Sequence, residues 1–243
     1  MVVAPRRQLR TVAAVAGAVA FAVAAGADAA PLPRGDFVVP PATHIAAAPY
    51  APWAHSHFVW PDSSRSNQAN VTAYVAEYVA HNISVGGLDI DSEWATGNNN
   101  FIVDTSKFPD MAALVAAMHA QGVNVILWAT SMIDTDSSNF GEAANNSYLI
   151  RDGFNQTALV DWWHGTGGFL DFGYPAAAAW WQSQMDNVLV GAGVDGFKLD
   201  GTDPYLVELV TPISHAGYIT LQTYQNWYYG GMFNYSRQVN GEG

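Results

Sequence analysis

The residue types most capable of catalysis follow a short apolar run near residue 196. Alternate side chains of a β-strand share a face, so Gly196, Lys198 and Asp200 point one way and Phe197 and Leu199 point the other. A buried charge is costly unless it is paired or used in chemistry, and parallel α/β proteins collect catalytic groups at the C-terminal ends of their strands. We therefore predict a functional carboxylate at Asp200, with Lys198 as its neighbouring cation.

A second segment, residues 85–94, brings further carboxylates to one face by the same alternation. Asp89, Asp91 and Glu93 share this face, and apolar residues form the other. A carboxylate can act as a nucleophile, a general acid or a general base, and it can also bind a metal ion. Two chemistries are therefore open: nucleophilic or acid–base catalysis, and metal-dependent hydrolysis built on Asp89, Asp91 and Glu93 with nearby histidines.

Strands and helices alternate along the chain at the spacing typical of parallel βαβ units. Apolar runs predict four strands, at residues 55–60, 85–91, 123–130 and from Val194 onward. Three helices are predicted between them, one capped by Ser66 or Asn67, one capped by Asp110 and ended by Gly122, and one over residues 176–189. The pattern predicts an α/β fold, a partial (β/α)8 TIM barrel of about four βα units.

Two stretches depart from this alternation. A polar, Asn-rich insertion follows the third strand, and in it we expect a solvated loop at residues 134–139 and a glycine-rich turn at residues 165–168. The C-terminal stretch predicts a helix around residues 205–213, a turn at residues 215–217 and an aromatic helix around residues 224–238.

The order of the motifs resembles that of glycoside hydrolase family 31. The run Leu88-Asp89-Ile90-Asp91 is similar to the family's DID-type pair, and residues 101–104 and 108–109 are similar to the F-x-x-D and F-P that follow it. Phe197-Lys198-Leu199-Asp200 resembles the strand that carries the family's nucleophile. The resemblance runs from about Trp53 to the C-terminus. It implies a retaining α-glycosidase that hydrolyses O-glycosyl bonds.

The resemblance implies roles for the matched charged residues. Asp200 is the expected nucleophile that attacks the anomeric carbon of the sugar, although an aspartate at this place can also cap the next helix. Asp89 is the expected binder of sugar hydroxyls, with a buried partnership to Lys198 as its alternative. Lys198 is expected to bind sugar, to form a structural ion pair, or to do both.

Three further residues are candidate substrate contacts. Trp60 resembles an aromatic residue that lines the family's sugar pocket, and a core position is its alternative. Asp91 is expected either to support Asp89 or to begin the following loop. Asp203 stands where the family has Glu, so the orienting role implied there falls to a side chain one methylene shorter.

The N-terminal residues have the pattern of a secretory signal. Residues 1–29 contain three arginines, an Ala/Val-rich run and a terminal Ala27-Asp28-Ala29. Because the apolar run is short for a membrane span, we expect no stable membrane insertion. An uncleaved membrane anchor is the alternative. A secretory or extracellular glycoprotein fits the sequons at Asn70, Asn82, Asn145, Asn155 and Asn234. The net charge of −12 argues against a nucleic-acid partner.

The chain is thus expected to contain a signal (residues 1–29), a Pro/Ala-rich lead-in (residues 30–52) and the N-terminal half of a barrel (residues 53–243). A whole barrel has eight βα units, so we expect a truncated barrel whose general acid/base is missing from the chain. The predicted partner is a carbohydrate, and we expect no cofactor and no metal. An inactive or sugar-binding fragment of such an enzyme is one alternative, and the metal-dependent hydrolase is the other.

Overall fold

Four parallel strands carry the carboxylates and the lysine described above. They are β1 (Phe58–Val59), β2 (Gly87–Ile90), β3 (Asn124–Ala129) and β7 (Gly196–Leu199), which lie side by side in that order. The structure is a computed structural model that describes residues 51–61, 66–209 and 211–241. All four predicted strands are confirmed. The first strand is shorter than predicted because a 3₁₀ turn at Pro52–His55 occupies its start.

The register of this sheet places the polar residues in two rows on one face. Lys198 pairs with Trp128 of β3, and Asp89 pairs with Ile126, which in turn pairs with Gly196. Paired residues of neighbouring parallel strands point to the same side of the sheet. This side is therefore the face on which the site is built.

The opposite face of the sheet packs against helices and aromatic residues. Phe197 meets Phe101 edge to face, with 5.7 Å between the ring centroids, and Phe101 meets Trp181 in the same way at 4.9 Å. Leu88 and Leu127 are fully buried. The predicted separation of Phe197 from Lys198 is confirmed, because the two side chains lie on opposite faces of β7.

The helices begin at the caps that the sequence predicts. Asn67 accepts a hydrogen bond from the backbone N–H of Asn70 and starts α1 (Gln68–Ala80). Asp110 accepts one from Ala113 and starts α2 (Met111–His119), after which Gly122 adopts a φ of +74° that ends the turn. The other helices are α3 (Phe140–Asn145), α4 (Pro175–Leu189) and α5 (Leu221–Asn240).

The insertion after β3 forms three strands that were not predicted from the sequence. Its strands β4 (Met132–Asp134), β5 (Leu159–Trp162) and β6 (Gly165–Phe169) form an antiparallel sheet with β6 in the middle. Residues 165–168, predicted to form a turn, are in the central strand. Asp134, Ser137 and Asn139 are buried and Thr135, Asp136 and Ser138 are exposed, so the predicted solvated loop is confirmed for only half of its residues. The three buried residues are stabilised by hydrogen bonds to Asn98, Asn99 and Trp162.

The C-terminal stretch follows its predicted order with different bounds. A 3₁₀ helix at Asp203–Glu208 replaces the predicted helix over residues 205–213. The predicted turn is the tip of a hairpin formed by β8 (Ile213–Ser214) and β9 (Gly217–Tyr218). The aromatic helix is confirmed as α5, which buries Tyr224, Tyr228 and Met232.

The fold is therefore α/β, and four successive strands each followed by a helix are consistent with a partial (β/α)8 barrel. Within the described residues, no helix is both long enough and apolar enough to cross a membrane. The predicted signal at residues 1–29 lies outside the described residues. The predicted lead-in does too, apart from Ala51 and Pro52.

Candidate active site

Two carboxylates of β2 and the lysine of β7 meet at the C-terminal ends of the strands. The Nζ atom of Lys198 lies 3.2 Å from Oδ2 of Asp91 and 4.0 Å from Oδ2 of Asp89. Both aspartates are largely withdrawn from water, whereas the Lys198 side chain is about one third exposed, at 34%. The ion pair expected of Lys198 is formed with Asp91 and Asp89, and the described contacts include none between Lys198 and Asp200, the neighbour predicted for it.

Asp91 has hydrogen-bond partners at both carboxylate oxygens. Oδ1 accepts the backbone N–H of Ser92 at 2.7 Å, and Oδ2 accepts the indole N–H of Trp60 at 2.5 Å as well as the Lys198 ammonium. Burial alone would raise the pKa of Asp91, but these donors and the charge of Lys198 outweigh it and lower the pKa below its ordinary value. Asp91 is therefore an ionised anchor for Trp60 and Lys198, and it also caps the 3₁₀ helix Ser92–Trp94, which matches the expectation that it begins the following loop.

Asp89 is in the opposite situation. Its Oδ1 atom is buried and has no hydrogen-bond partner among the described residues. Burial raises the pKa of Asp89 to about 7; Lys198 opposes this rise, and the charges of Asp91 and Asp200 add to it. An unpaired buried oxygen on a carboxyl group is unfavourable. It is suited to a ligand that brings a hydroxyl group.

Asp200 follows β7 directly, and its two oxygens are held by separate donors. The indole N–H of Trp128 donates to Oδ2 at 2.9 Å, and the backbone N–H of Gly201 donates to Oδ1 at 2.8 Å. The side chain is half-buried at the mouth of the strands. Its carboxylate bonds to its own neighbour Gly201 rather than to a helix beyond it, so the helix-capping alternative is not supported.

Trp60 lies after β1 and borders the same cluster. Trp60 is 51% exposed, which excludes the core position that was its alternative. The Lys198 ammonium lies 5.1 Å from the ring centroid, a cation–π distance. The indole N–H is used by Asp91, so the exposed ring face is the part of Trp60 that remains available.

Asp203 does not reach this cluster, which corrects the prediction that it contacts substrate. Its side chain is 1% exposed, and it accepts hydrogen bonds from Gln225 Nε2 at 2.6 Å and from the Tyr229 hydroxyl at 2.7 Å. Both donors belong to α5. Asp203 therefore attaches the last described helix to the loop that follows Asp200.

The metal-dependent alternative requires Glu93 to join Asp89 and Asp91. Glu93 instead forms an ion pair with Lys107 at the surface. Among the residues that the structure describes, no three His, Asp or Glu side chains are arranged to hold a metal ion. The geometry therefore does not support the metal-dependent hydrolase.

Sequence reasoning missed the aromatic group that the insertion adds to the site. Trp128 of β3 lies beneath Asp200, and its ring is nearly parallel to that of Trp162, at 12° and 6.4 Å between centroids. His164 packs against both rings, and Trp163 beside it is 52% exposed. The alternation in β3 provides a signal for Trp128, because this residue is on the same face as Lys198. The sequence of the insertion provides no such signal for Trp162 or His164.

Comparison with known proteins places the chain in a family. Residues 49–239 match the family described as "Glycosyl hydrolases family 31 TIM-barrel domain". The chain is 29% identical over 163 residues to the α-xylosidase XylQ of Lactiplantibacillus pentosus, covering 65% of this chain and 21% of that protein. It is also 29% identical over 135 residues to the myogenesis-regulating glycosidase of Mus musculus, covering 55% and 19%. The chain thus spans about a fifth of the length of these relatives.

A solved structure agrees on the fold. The glucose complex of the family 31 dextranase from Flavobacterium johnsoniae superposes with a TM-score of 0.71 at 20% identity, over 78% of this chain and 24% of that one. The resemblance first suggested by the strand motifs is confirmed, because the family match covers well over half of the sequence. The chain belongs to glycoside hydrolase family 31.

Proposed function

We propose that this chain carries the nucleophile-bearing half of a retaining α-glycosidase site, with Asp200 as the nucleophile. The observation that supports this most directly is the fixed Asp200 carboxylate at a strand end, on the same sheet face as an Asp89 oxygen that lacks a partner among the described residues. One held carboxylate and one unsatisfied carboxyl group suit a reaction that attacks a carbon while binding its neighbouring hydroxyls.

The chemistry proceeds in two steps in such a site. An Asp200 oxygen forms a bond to the anomeric carbon as the glycosidic C–O bond breaks, and the leaving oxygen takes a proton from a general acid. Water then attacks the same carbon, and the glycosyl ester to Asp200 is cleaved. We assign no general acid among the described residues.

Asp89 and Lys198 are the proposed contacts to the sugar. The unpaired Oδ1 of Asp89 can accept a hydrogen bond from a sugar hydroxyl, and the exposed part of the Lys198 ammonium can donate one. The exposed ring of Trp60 offers an apolar surface beside them. Asp91 keeps Trp60 and Lys198 in place and does not itself contact the sugar.

The proposed substrate class is an α-linked glycoside. The relatives that support it carry the names α-xylosidase, 1,3-α-isomaltosidase and sulfoquinovosidase. Their names differ in the sugar, and the residues that surround Asp89 and Lys198 do not by themselves select among these sugars.

Covalent labelling tests the role of Asp200. A fluoroglycosyl fluoride is a suitable reagent, because fluoride leaves without protonation and the first step then needs no general acid. We expect the 243-residue chain to gain the mass of one glycosyl group, and peptide mapping to find it on Asp200. Asp200→Ala should abolish labelling. Asp89→Ala should slow it, because hydroxyl contacts that strengthen in the transition state are lost.

The outcomes separate the alternatives. A label on Asp89, Asp91 or Asp203, or labelling that survives Asp200→Ala, would show that the nucleophile is misassigned. Saturable binding of the sugar without any label would favour the sugar-binding fragment. Retention of labelling in Asp203→Asn is expected, because Asp203 lies beneath α5 and away from the cluster.

We also infer that the chain enters the secretory pathway and is glycosylated. The basic and apolar N-terminal pattern supports entry, and all five sequon asparagines lie at exposed positions. N-terminal sequencing of the secreted product should begin after Ala29, and treatment with an N-glycan-specific glycosidase should lower its mass. A product that begins at Met1 and does not change mass would exclude this proposal.

A further inference from the structure

Asp134 is a buried carboxylate that the mechanism above does not use. It lies at the end of β4 in the insertion and is 4% exposed. Its Oδ1 accepts the indole N–H of Trp162 at 2.6 Å, and its Oδ2 accepts the side-chain amide of Asn98 at 2.6 Å. A buried carboxylate needs such donors. Here one of the donors belongs to the aromatic group beside the nucleophile.

The contacts continue from Trp162 to Asp200 without a gap. The Trp162 ring lies nearly parallel to the Trp128 ring, and His164 packs against an edge of this pair at 5.6 Å from Trp128. Trp128 then donates its N–H to Oδ2 of Asp200 at 2.9 Å. Trp128 and Trp162 are both buried, so neither ring can turn without displacing its neighbours.

The strand beside Asp134 packs closely against this carboxylate. Gly167 of β6 is the register partner of Asp134. A Cβ atom at Gly167 would lie 2.9 Å from the carbonyl oxygen of Ile133 and 3.1 Å from Oδ1 of Asp134. The carboxylate is thus confined between β6 and the Trp162 indole, which limits it to one orientation.

We propose that Asp134 is a positioning residue for Asp200 and acts through Trp162 and Trp128. The hydrogen bond from Trp162 to Asp134 fixes the rotation of the Trp162 ring, and that ring fixes the plane of Trp128. The plane of Trp128 sets the direction of the N–H that holds Asp200. A nucleophile displaced by a fraction of an ångström loses much of its reactivity, so the insertion contributes to the site without touching the sugar. This proposal rests on the proposed role of Asp200.

The simpler role for Asp134 is to stabilise the insertion alone. Both roles predict a loss of stability when the carboxylate is removed, so stability cannot distinguish them. The orientation of Trp128 can, because its N–H is bonded to Asp200 and not to any group of the insertion. The test therefore follows the Trp128 N–H together with the reactivity of Asp200.

Four variants of the 243-residue chain make the comparison. Asp134→Leu removes both acceptors but adds volume at a confined position, so it is compared with Trp162→Phe, which keeps an aromatic ring but removes the N–H. Asp134→Asn keeps an oxygen that can accept from Trp162. Asp161→Asn is the matched control, because Asp161 is exposed on the other face of β5 and bonds only to Thr166 among the described contacts.

Two measurements are made on each variant. The first is the indole N–H resonance of Trp128 in ¹⁵N-tryptophan protein, assigned with Trp128→Phe. The second is the rate at which a fluoroglycosyl fluoride labels Asp200. We expect Asp134→Leu and Trp162→Phe to move the resonance upfield, towards an unbonded N–H, and to slow labelling about tenfold, the effect of losing one hydrogen bond to a charged group. Asp134→Asn and Asp161→Asn should stay within about twofold of the parent chain.

The proposal is overturned if Asp134→Leu and Trp162→Phe lower the melting temperature but leave the Trp128 resonance or the labelling rate unchanged. If Asp134→Leu does not fold, Trp162→Phe decides by the same criteria. If the parent chain is not labelled at all, the proposed nucleophile fails, and the resonance alone then decides whether Asp134 orients Trp128. Failure of the two proposals is thus seen in different measurements.

Discussion

Asp89 and Asp91 lie two residues apart on one strand face, yet their surroundings move their pKa values in opposite directions. Asp91 has three hydrogen-bond donors, one of them the Lys198 ammonium, and these outweigh its burial. Asp89 has an unpaired buried oxygen and only the more distant approach of the same lysine. Lys198 thus stabilises the charge of Asp91 more than that of Asp89. Asp89 is the group proposed to bind sugar.

This difference predicts opposite effects of pH on the stability of two matched variants. The pKa of Asp89 is about 7 in the folded chain against an ordinary value of 3.8, so the unfolded chain releases its proton first and stability falls as pH rises from about 4 to 7. Asp89→Asn removes this fall. Its free energy of unfolding, relative to the parent chain, should therefore increase between pH 4 and pH 8 by on the order of 3 kcal/mol.

Asp91→Asn is the control with the opposite sign. Because the pKa of Asp91 is lowered on folding, its contribution is present above the ordinary carboxyl pKa and is lost as pH falls. The variant should be less stable than the parent at pH 8 and approach it in acid. Urea unfolding across the pH range measures both variants. Parallel profiles for the two variants would contradict the assignment of the unsatisfied carboxyl group to Asp89.

Among the elements, those set by local rules were predictable from the sequence, and the one set by distant pairing was not. Asn67 and Asp110 bond to the backbone a few residues ahead, and the alternation in β2 and β7 is visible in a few consecutive residues. The sheet of the insertion instead joins β4 to a glycine-rich strand that starts 31 residues after β4 ends, at Gly165. Glycine is uncommon inside strands, so the glycine-rich composition of β6 indicates a turn.

The same reasoning explains which site residues were predictable. Asp89, Lys198 and Asp200 were found because strand alternation and strand ends mark them. Asp203 was misplaced because its environment depends on how α5 packs over the following loop. Asp134 and Trp162 have no local feature that distinguishes them, and their position follows from the tertiary pairing of the insertion.

The central strand of the insertion should tolerate a side chain at one glycine and not at another. At Gly167, an added Cβ would lie within 2.9 Å of a backbone oxygen, while at Gly165 its nearest neighbour is 3.9 Å away. We expect Gly167→Ala to cost about 1–3 kcal/mol of stability through overpacking. Gly165→Ala should stay within about 0.5 kcal/mol of the parent. Chemical unfolding of both variants measures this, and equal losses would contradict the close packing of β6 against β4.

At the scale of the whole molecule, β1 and β7 are the two edge strands of the parallel sheet. Among the described residues, each pairs with another strand on one side only. Beside β7, a mostly apolar groove of about 500 Å³ is lined by Phe197, Leu199, Met232 and Phe233. Strand edges and apolar grooves favour association with other chains. A closed barrel has no such edges.

We therefore expect the folded 243-residue chain to self-associate. Sedimentation velocity over a hundredfold range of concentration should show growth in mass, and a charged residue in the groove, as in Phe233→Lys, should reduce it. Tyr218→Lys is a matched control, because Tyr218 is also exposed but does not line the groove. A single cooperative unfolding transition of a monomer at every concentration would refute this expectation.

The bond between Trp128 and Asp200 joins residues 72 positions apart, and the ion pair of Lys198 with Asp91 joins residues 107 positions apart. Closing such large loops slows folding, whereas helices and short turns form early. We therefore expect the proposed site to form late in folding, since it requires β2, β3 and β7 to be in register and the insertion to have docked. On refolding, helical content should return before tryptophan fluorescence does, and during synthesis the proposed site can form only after Asp200 has been made and placed.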